Sequence, residues 1–341
     1  MPFVSNACRS KAVRCWLVIL LGMSLGAGRS ASSEEAVPVV VTPRPVSSDE
    51  ELRHWLENMI GHHRYTPAEA AAATGLSVDE IATAVKRFGI ASERPSASSS
   101  EQLVVLPYPG GRHPRIGFLE GAIDPQRETK VSVFTPWQAS DRPSYVVVDC
   151  PEALWSNLGL TYLAHTHIDT IWSRDGTTLP VQEWDRSHPD RLTSTRRLPN
   201  GIEFTSVVVP HSDHVAMTLS LHNGSDVALS DLRVQNCVML KAAPGFEARS
   251  NDNKTAIGAY ACVHDESKSH WVITAWKPNH RTWFNPRCPC LHSDPKFPDC
   301  QPGDTATLQG WLSFFEGADI EGEVARIEAE RWWERADAGE Q

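Results

Sequence analysis

The hydrophobic residues follow three successive patterns along the chain: a continuous run, a helical spacing and an alternation with polar residues. Each pattern predicts a different kind of element. Residues 15–25 are almost all apolar. Between residues 52 and 60 the apolar side chains recur at i, i+3, i+4, i+7 and i+8, which is one face of a helix. From residue 103 onward apolar and polar residues tend to alternate, which is the period of a β-strand. The pattern therefore predicts a short helical part followed by a long β-rich part.

Capping residues place three short helices between residues 48 and 90. Ser48, Thr66 and Ser77 each precede a helical pattern as N-caps, and each is followed three residues later by a glutamate. Gly89 is placed to end the third helix. We therefore predict a compact three-helix unit at residues 48–90.

Alternation is clearest in residues 202–208 and 215–221 of the β-rich part. Asn223 and Gly224 follow, and this dipeptide predicts a two-residue hairpin leading into a strand at residues 232–240. Short strands at near-even spacing favour a β-sandwich over alternating strands and helices. After residue 318 a helical stripe returns and predicts a closing helix.

The predicted fold is mainly β: a large antiparallel β-sandwich preceded by a small three-helix unit. The predicted segments are a signal peptide at 1–31, a tether at 32–47, the three-helix unit at 48–90, a linker at 91–100, the sandwich at 101–318 and a C-terminal helix at 319–341.

The N-terminal segment predicts export. Arg9, Lys11 and Arg14 precede the apolar run, and small residues follow it at 26–31. This order is typical of a cleavable secretory signal, and the run is shorter than the roughly 20 residues needed to span a bilayer. We expect a periplasmic or extracellular protein with no membrane span after signal cleavage.

The charge balance argues against a nucleic-acid partner. The chain has 32 Lys and Arg residues against 42 Asp and Glu residues, and no local basic patch offsets the excess. The segment TPAEAAAATGLSVDEIATAVKRFGI resembles a helix-turn-helix domain, but acidic residues outnumber basic ones between residues 51 and 90. We expect a structural unit, or one that contacts a protein partner, and no nucleic acid.

A second resemblance concerns the β-rich part. VAMTLSLHNGSDVALSDLRVQNCVML and the later PGDTATLQGWLSF resemble the double sheet of galactose-mutarotase-like, carbohydrate-active proteins over residues 103–318. The resemblance implies a carbohydrate-binding or carbohydrate-processing protein, with acid–base chemistry such as epimerisation or β-elimination for an enzyme. No catalytic motif is carried over. PYPGGRHPRIGFLEGA and CPCLHSDPKFPDC resemble segments of uncharacterised exported bacterial proteins, which implies no activity.

The first candidate site is TYLAHTHIDTIW. On a strand, His165, His167 and Asp169 would project from one face. Such a set suits a zinc or iron ion, which would make the protein a metal-dependent hydrolase. It equally suits a sugar, with a histidine as general acid or base. The remaining interpretation is a polar face of an exposed strand.

The second candidate site is PGGRHPRIGFLEGAIDPQRETK. Arg112, Arg115 and Arg127 suit the carboxylates or sulfates of acidic sugars. His113 and Glu120 are the acid–base candidates of this segment, because burial would raise the pKa of Glu120. A solvated charged loop is the alternative.

The cysteines form the third candidate. Six remain after signal removal, and an even number in an exported protein predicts disulfides. They are Cys150, Cys237, Cys262, Cys288, Cys290 and Cys300. A zinc set of Cys288, Cys290, His292 and Cys300 is the alternative, and the prolines nearby predict a surface loop.

Tryptophan completes the candidates, because its ring stacks on sugars. Trp172 and Trp283 lie beside the polar segments and are the predicted ligand-binding rings. No motif requires a cofactor. Zinc is the metal that suits the two alternative ligand sets, the histidine set and the cysteine set. Carbohydrate is the expected partner, and a non-catalytic scaffold is the remaining functional alternative.

Overall fold

The computed structural model describes residues 43–90, 102–112, 128–137, 142–164 and 168–335. These residues belong to one compact unit that begins at Pro38. No helix in these ranges is long and apolar enough to cross a membrane.

The three-helix unit is present as predicted. Helix α1 (Asp49–Leu56) continues directly into a π-helix (Glu57–His62), and α2 (Pro67–Thr74) and α3 (Val78–Phe88) follow. A serine or threonine side chain caps the start of each α-helix, and α2 and α3 begin with complete capping boxes. Glycines in the left-handed region end α2 and α3. The local signals in the sequence were therefore sufficient to place these helices.

Two antiparallel seven-stranded sheets form the rest of the described fold, which confirms the mainly β prediction. Sheet 1 has the order β1-β2-β3-β8-β13-β12, with β4 also paired to β3; sheet 2 has the order β5-β6-β7-β14-β11-β10-β9. The strands are β1 (Val105–Pro107), β2 (Lys130–Phe134), β3 (Tyr145–Ser156), β4 (Gly159–Leu163), β5 (Leu192–Arg197), β6 (Ile202–Pro210), β7 (His214–Asn223), β8 (Val234–Met239), β9 (Lys254–Ile257), β10 (Tyr260–His264), β11 (His270–Lys277), β12 (Asn279–Trp283), β13 (Cys290–Pro295) and β14 (Thr305–Glu316).

The predicted hairpin at Asn223 and Gly224 is wrong. Strand β7 pairs with β6 and β14, whereas β8 belongs to the other sheet and pairs with β3 and β13. The Asn223 side chain donates to the carbonyl oxygens of Val227 and Cys300, so it supports a crossing between sheets instead of a tight turn. The physical reason is burial, because Leu219 and Val238 both contribute to the shared core from opposite sheets.

The proline-rich segment near residue 290 is not a surface loop. It contains β13, which lies between β8 and β12 and is buried along its whole length. Leu291 joins the core between the sheets. Its neighbours Cys290 and His292 must then lie on the outer face of sheet 1, because successive side chains alternate.

Both outer faces are covered in part by helices. The three-helix unit packs on sheet 1, where Asn58 donates to the Pro107 carbonyl at 2.9 Å. On sheet 2, Val324 and Ile327 of α5 (Ile320–Ala329) pack in a cluster with Trp311. A short α4 (Ile171–Arg174) and a 3-10 helix (Trp332–Glu334) complete the elements. The closing helix is thus present over part of its predicted range.

Candidate functional site

Five neighbouring strands of sheet 1 place polar side chains in a single row. Lys130 pairs with Asp149, and Asp149 pairs with Cys237. His292 pairs with Trp283 on the far side of β13. The register of β8 with β13 places Cys237 opposite His292. Directly opposite residues share a face, so these five residues form one line across the outer face, which we call the polar row.

A fully buried ion pair forms one end of the polar row. The Lys130 Nζ lies 3.1 Å from the Asp149 Oδ1, and both side chains are 0% exposed. The Thr129 hydroxyl donates to the same carboxylate oxygen at 2.9 Å. Charged side chains are rarely buried this fully unless they are paired. The charged segment that ends at Lys130 was predicted to bind a ligand or to form a solvated loop, and Asp149 was not among the predicted site residues.

An aromatic and acidic group forms the other end of the polar row. The His292 ring stacks on Trp283 at 4.0 Å between centroids, with 14° between the ring planes. The Asp294 carboxylate accepts from Trp283 Nε1 at 2.6 Å and from Arg281 Nε at 2.8 Å. Burial raises the pKa of the Asp294 carboxyl although both neighbours donate to it. One face of the predicted stacking ring Trp283 is therefore already covered by a histidine.

A second carboxylate, that of Glu152, interacts electrostatically with His292. Glu152 is buried, and the Gln235 amide donates to its Oε2 at 2.9 Å. The Glu152 carbonyl accepts from Ala164, which precedes the first predicted histidine. His165 and His167 themselves lie outside the described residues, and their metal or acid–base role stays a prediction.

The third member of that predicted set is not on a strand. Strand β4 ends at Leu163, and Asp169 lies just before α4, where its carboxylate accepts from Ser173 at 3.2 Å. Trp172 is within α4, and its indole N–H donates to the Thr161 carbonyl at 2.8 Å. The expectation of one strand face through Asp169 is therefore wrong, because the chain turns into a helix.

Arg112 joins the three-helix unit to the β-rich part. Its guanidinium donates to both carboxylate oxygens of Glu69, at 2.6 and 3.0 Å, and to the carbonyls of His63 and Arg64. It also stacks over the Tyr65 ring at 4.0 Å. These contacts define a structural clamp, and the predicted ligand-binding role of Arg112 stays a prediction. The other residues predicted from this segment lie outside the described ranges; they are His113, Arg115, Glu120 and Arg127.

Replacing Arg112 by Ala should lower the free energy of unfolding by about 2–3 kcal/mol, because hydrogen bonds to charged groups are worth about that much. Arg87→Ala is the matched control, since Arg87 forms a pair with Asp49 in which both side chains are exposed. That change should cost less than about 0.5 kcal/mol. Urea denaturation of both variants measures the difference, and equal losses would contradict the clamp.

The predicted disulfides are not formed, and all six described cysteines are reduced. No two of the described cysteines lie at disulfide-bonding distance, although Cys237, Cys288 and Cys290 share a cluster on the outer face of sheet 1. Cys150 faces the core between the sheets, and Cys262 belongs to the cluster under α5. Cys300 packs in the core between the sheets, so it does not join Cys290 in the predicted zinc set.

A different set of possible metal ligands is present on the outer face of sheet 1. Cys237, Cys290 and His292 are buried, and one ligand atom from each lies within 4.8 Å of the others. The alternation Cys-x-Cys-x-His was the local signal for two of these residues. Cys237 is far away in sequence, and only the pairing of β8 with β13 identifies it.

No family model matches this chain, and no curated protein matches it. Solved structures with partial similarity include a putative kojibiose phosphorylase from the human microbiome, at 7% identity and TM-score 0.33, covering 68% of this chain and 35% of the other. The Slr1438 protein from Synechocystis sp. PCC 6803 has 7% identity and TM-score 0.34, covering 55% and 93%. The heparan sulfate lyase HepC from Pedobacter heparinus has 10% identity and TM-score 0.30, covering 83% and 45%.

Two of these three proteins are carbohydrate-active enzymes by name. This chain spans about a third of the length of the phosphorylase. With TM-scores near 0.3, these similarities indicate nothing about the activity of this chain.

Proposed function

We propose that this protein is exported and binds or processes an acidic carbohydrate at the β12 edge of sheet 1. The single observation that carries the proposal is Arg281, whose side chain is 51% exposed and lies over the Trp283 ring at 5.0 Å. Guanidinium groups pair with carboxylates and sulfates, which acidic sugars carry. Export depends on residues 1–31, which the described ranges do not include.

The position of Arg281 supports access by a ligand. Strand β12 is at the end of the strand order of sheet 1, and so it is an edge strand. Only the Nε of Arg281 is used by Asp294. Within the described ranges its two terminal NH₂ groups form no hydrogen bond, so they are the donors proposed to hold an anionic group of the sugar.

Proton transfer, in an epimerisation or β-elimination, would use the acidic groups behind this edge. Asp294 has a raised pKa, and it is fixed by Trp283 and Arg281. Glu152 is a second buried carboxylate on sheet 1. Two carboxylates in different environments are the usual arrangement for separate acid and base roles.

The test is a binding panel of uronate-containing and sulfated polysaccharides beside neutral glucans. We expect binding of an acidic polysaccharide, with Kd raised about tenfold in Arg281→Ala, which corresponds to about 1.4 kcal/mol. Arg197→Ala is the matched control, because Arg197 is also on an edge strand and also pairs with a carboxylate, that of Glu203. It should bind normally.

Two outcomes would overturn the proposal. If no polysaccharide binds, the non-catalytic scaffold becomes the better explanation of the fold. If both arginine variants lose affinity equally, the attraction is a general charge effect with no site at Arg281.

A further inference from the structure

Three possible metal ligands meet at one point of the outer face of sheet 1. The Cys290 Sγ lies 3.4 Å from the His292 Nε2, and all the ligand atoms of the set with Cys237 are within 4.8 Å of one another. Around a tetrahedral zinc ion, two sulfur ligands are about 3.8 Å apart and a sulfur and a nitrogen about 3.6 Å apart. The three ligand atoms therefore need to move by only about 1 Å to enclose a zinc ion.

The imidazole of this set is oriented by its surroundings. Its Nδ1–H donates to the Asn236 carbonyl at 2.9 Å, which leaves the Nε2 lone pair on the side of Cys290. Stacking on Trp283 fixes the plane of the ring. A metal-bound histidine usually has such a partner for its second nitrogen, because that bond selects the tautomer and direction of the ligand.

We propose that Cys237, Cys290 and His292 bind one Zn²⁺ ion. Thiolate and imidazole ligands select zinc over calcium and magnesium, which prefer oxygen. Two thiolates would also neutralise the charge of the ion in a buried site.

The position of the ion predicts its effect on the fold. Cys237 is on β8, whereas Cys290 and His292 are on β13. The described ladder between these two strands has two residue pairs, Cys290 with Met239 and Leu291 with Val238. The ion cross-links the strands beside this short ladder, so its binding free energy adds to the stability of sheet 1.

The first measurement uses the wild-type chain, purified without chelators. We expect one zinc ion per chain by elemental analysis. After chelation and replacement with Co²⁺, we expect a thiolate-to-cobalt charge-transfer band and the d–d bands of a tetrahedral ion. Metal removal should lower the apparent unfolding temperature by roughly 10 °C.

Variants then assign the ligands. Cys237→Ser and His292→Ala should lose zinc, whereas Cys262→Ser should keep it, because Cys262 is equally buried but lies in the cluster on the other sheet. Cys288→Ser should also keep zinc, since Cys288 is outside the clustered ligand set. His292→Cys should restore binding with a stronger charge-transfer band, which separates ligand loss from misfolding.

Several results would overturn the proposal. They are a metal-free wild-type protein with a Cys237–Cys290 disulfide, loss of zinc from Cys262→Ser, and retention of zinc by Cys237→Ser. The inference goes beyond the proposed carbohydrate function, and the two can fail separately, because zinc content is measured without a polysaccharide and Arg281→Ala removes none of the three ligands.

Discussion

Replacing Asp149 by Asn, or Lys130 by Met, should lower the free energy of unfolding by about 3–5 kcal/mol. The two side chains are 0% exposed, and their charged atoms are 3.1 Å apart. Removal of either charge leaves the other one buried without its opposite charge, and water cannot reach it. Urea or guanidinium denaturation at neutral pH measures the loss.

The double variant separates this explanation from a simple loss of packing. Lys130→Met with Asp149→Leu removes both buried charges and keeps much of the apolar volume, so it should be more stable than either single variant. Arg53→Ala is the surface control, because Arg53 and Glu57 form an exposed pair one helical turn apart. Its cost should be under about 0.5 kcal/mol. The prediction would be contradicted if the single variants lost as little free energy of unfolding as this control.

The burial of Asp149 could be predicted from the sequence, although the alternation of apolar and polar residues did not reveal its partner. It follows the apolar run of residues 145–148, so its backbone was expected to be buried. A lone acid beside such a run requires a partner, and that requirement was the available signal. The identity of the partner was not available, because strand register is decided by contacts between segments distant in sequence.

The helices, in contrast to the strand register, were predictable because their signals are local in sequence. Their caps are local, and Thr66 with Glu69 forms both bonds of its capping box within four residues. The crossing from β7 to β8 was not predictable, because an Asn-Gly pair reports only backbone preference. Whether two successive strands pair or occupy opposite sheets depends on how the whole core is filled.

Some residues of the candidate site also had a local signal in the sequence, whereas others are identified only by strand pairing. The alternation of Cys290 and His292 was visible in the sequence, although the prolines around it suggested a loop. Cys237 became part of the set only through the pairing of two strands in sheet 1. Arg281 was missed entirely, because an isolated arginine gives no local signal for an exposed sheet edge.

The three-helix unit should be sensitive to acid through His63, which is fully buried against sheet 1. Its Nδ1–H donates to the Asn58 carbonyl at 2.9 Å, and the Ser132 hydroxyl donates to its Nε2 at 2.8 Å. Both bonds suit the neutral ring, and protonation would place a second N–H against the hydroxyl. Burial lowers the pKa of His63 to about 3.

The direction of the effect follows from proton uptake. The unfolded chain protonates this histidine below about pH 6.5, whereas the folded chain resists protonation until about pH 3. The contribution of neutral His63 to stability is therefore complete above about pH 6.5 and decreases as the pH falls, by about 1.4 kcal/mol per pH unit. The titratable side chains around it are His62, Tyr65, Tyr145 and Arg112.

His63→Gln tests this expectation, because glutamine is polar and does not titrate. The variant should be less stable than wild type at pH 7. The difference between their free energies of unfolding should be smaller by about 2–3 kcal/mol at pH 4.5. His280→Gln is the control, since it makes the same substitution at an exposed position on β12, away from the buried site. Denaturation across this pH range measures all three proteins. Parallel curves for wild type and His63→Gln would show that His63 protonates equally in the folded and unfolded chain, and acid would then weaken the fold through other groups.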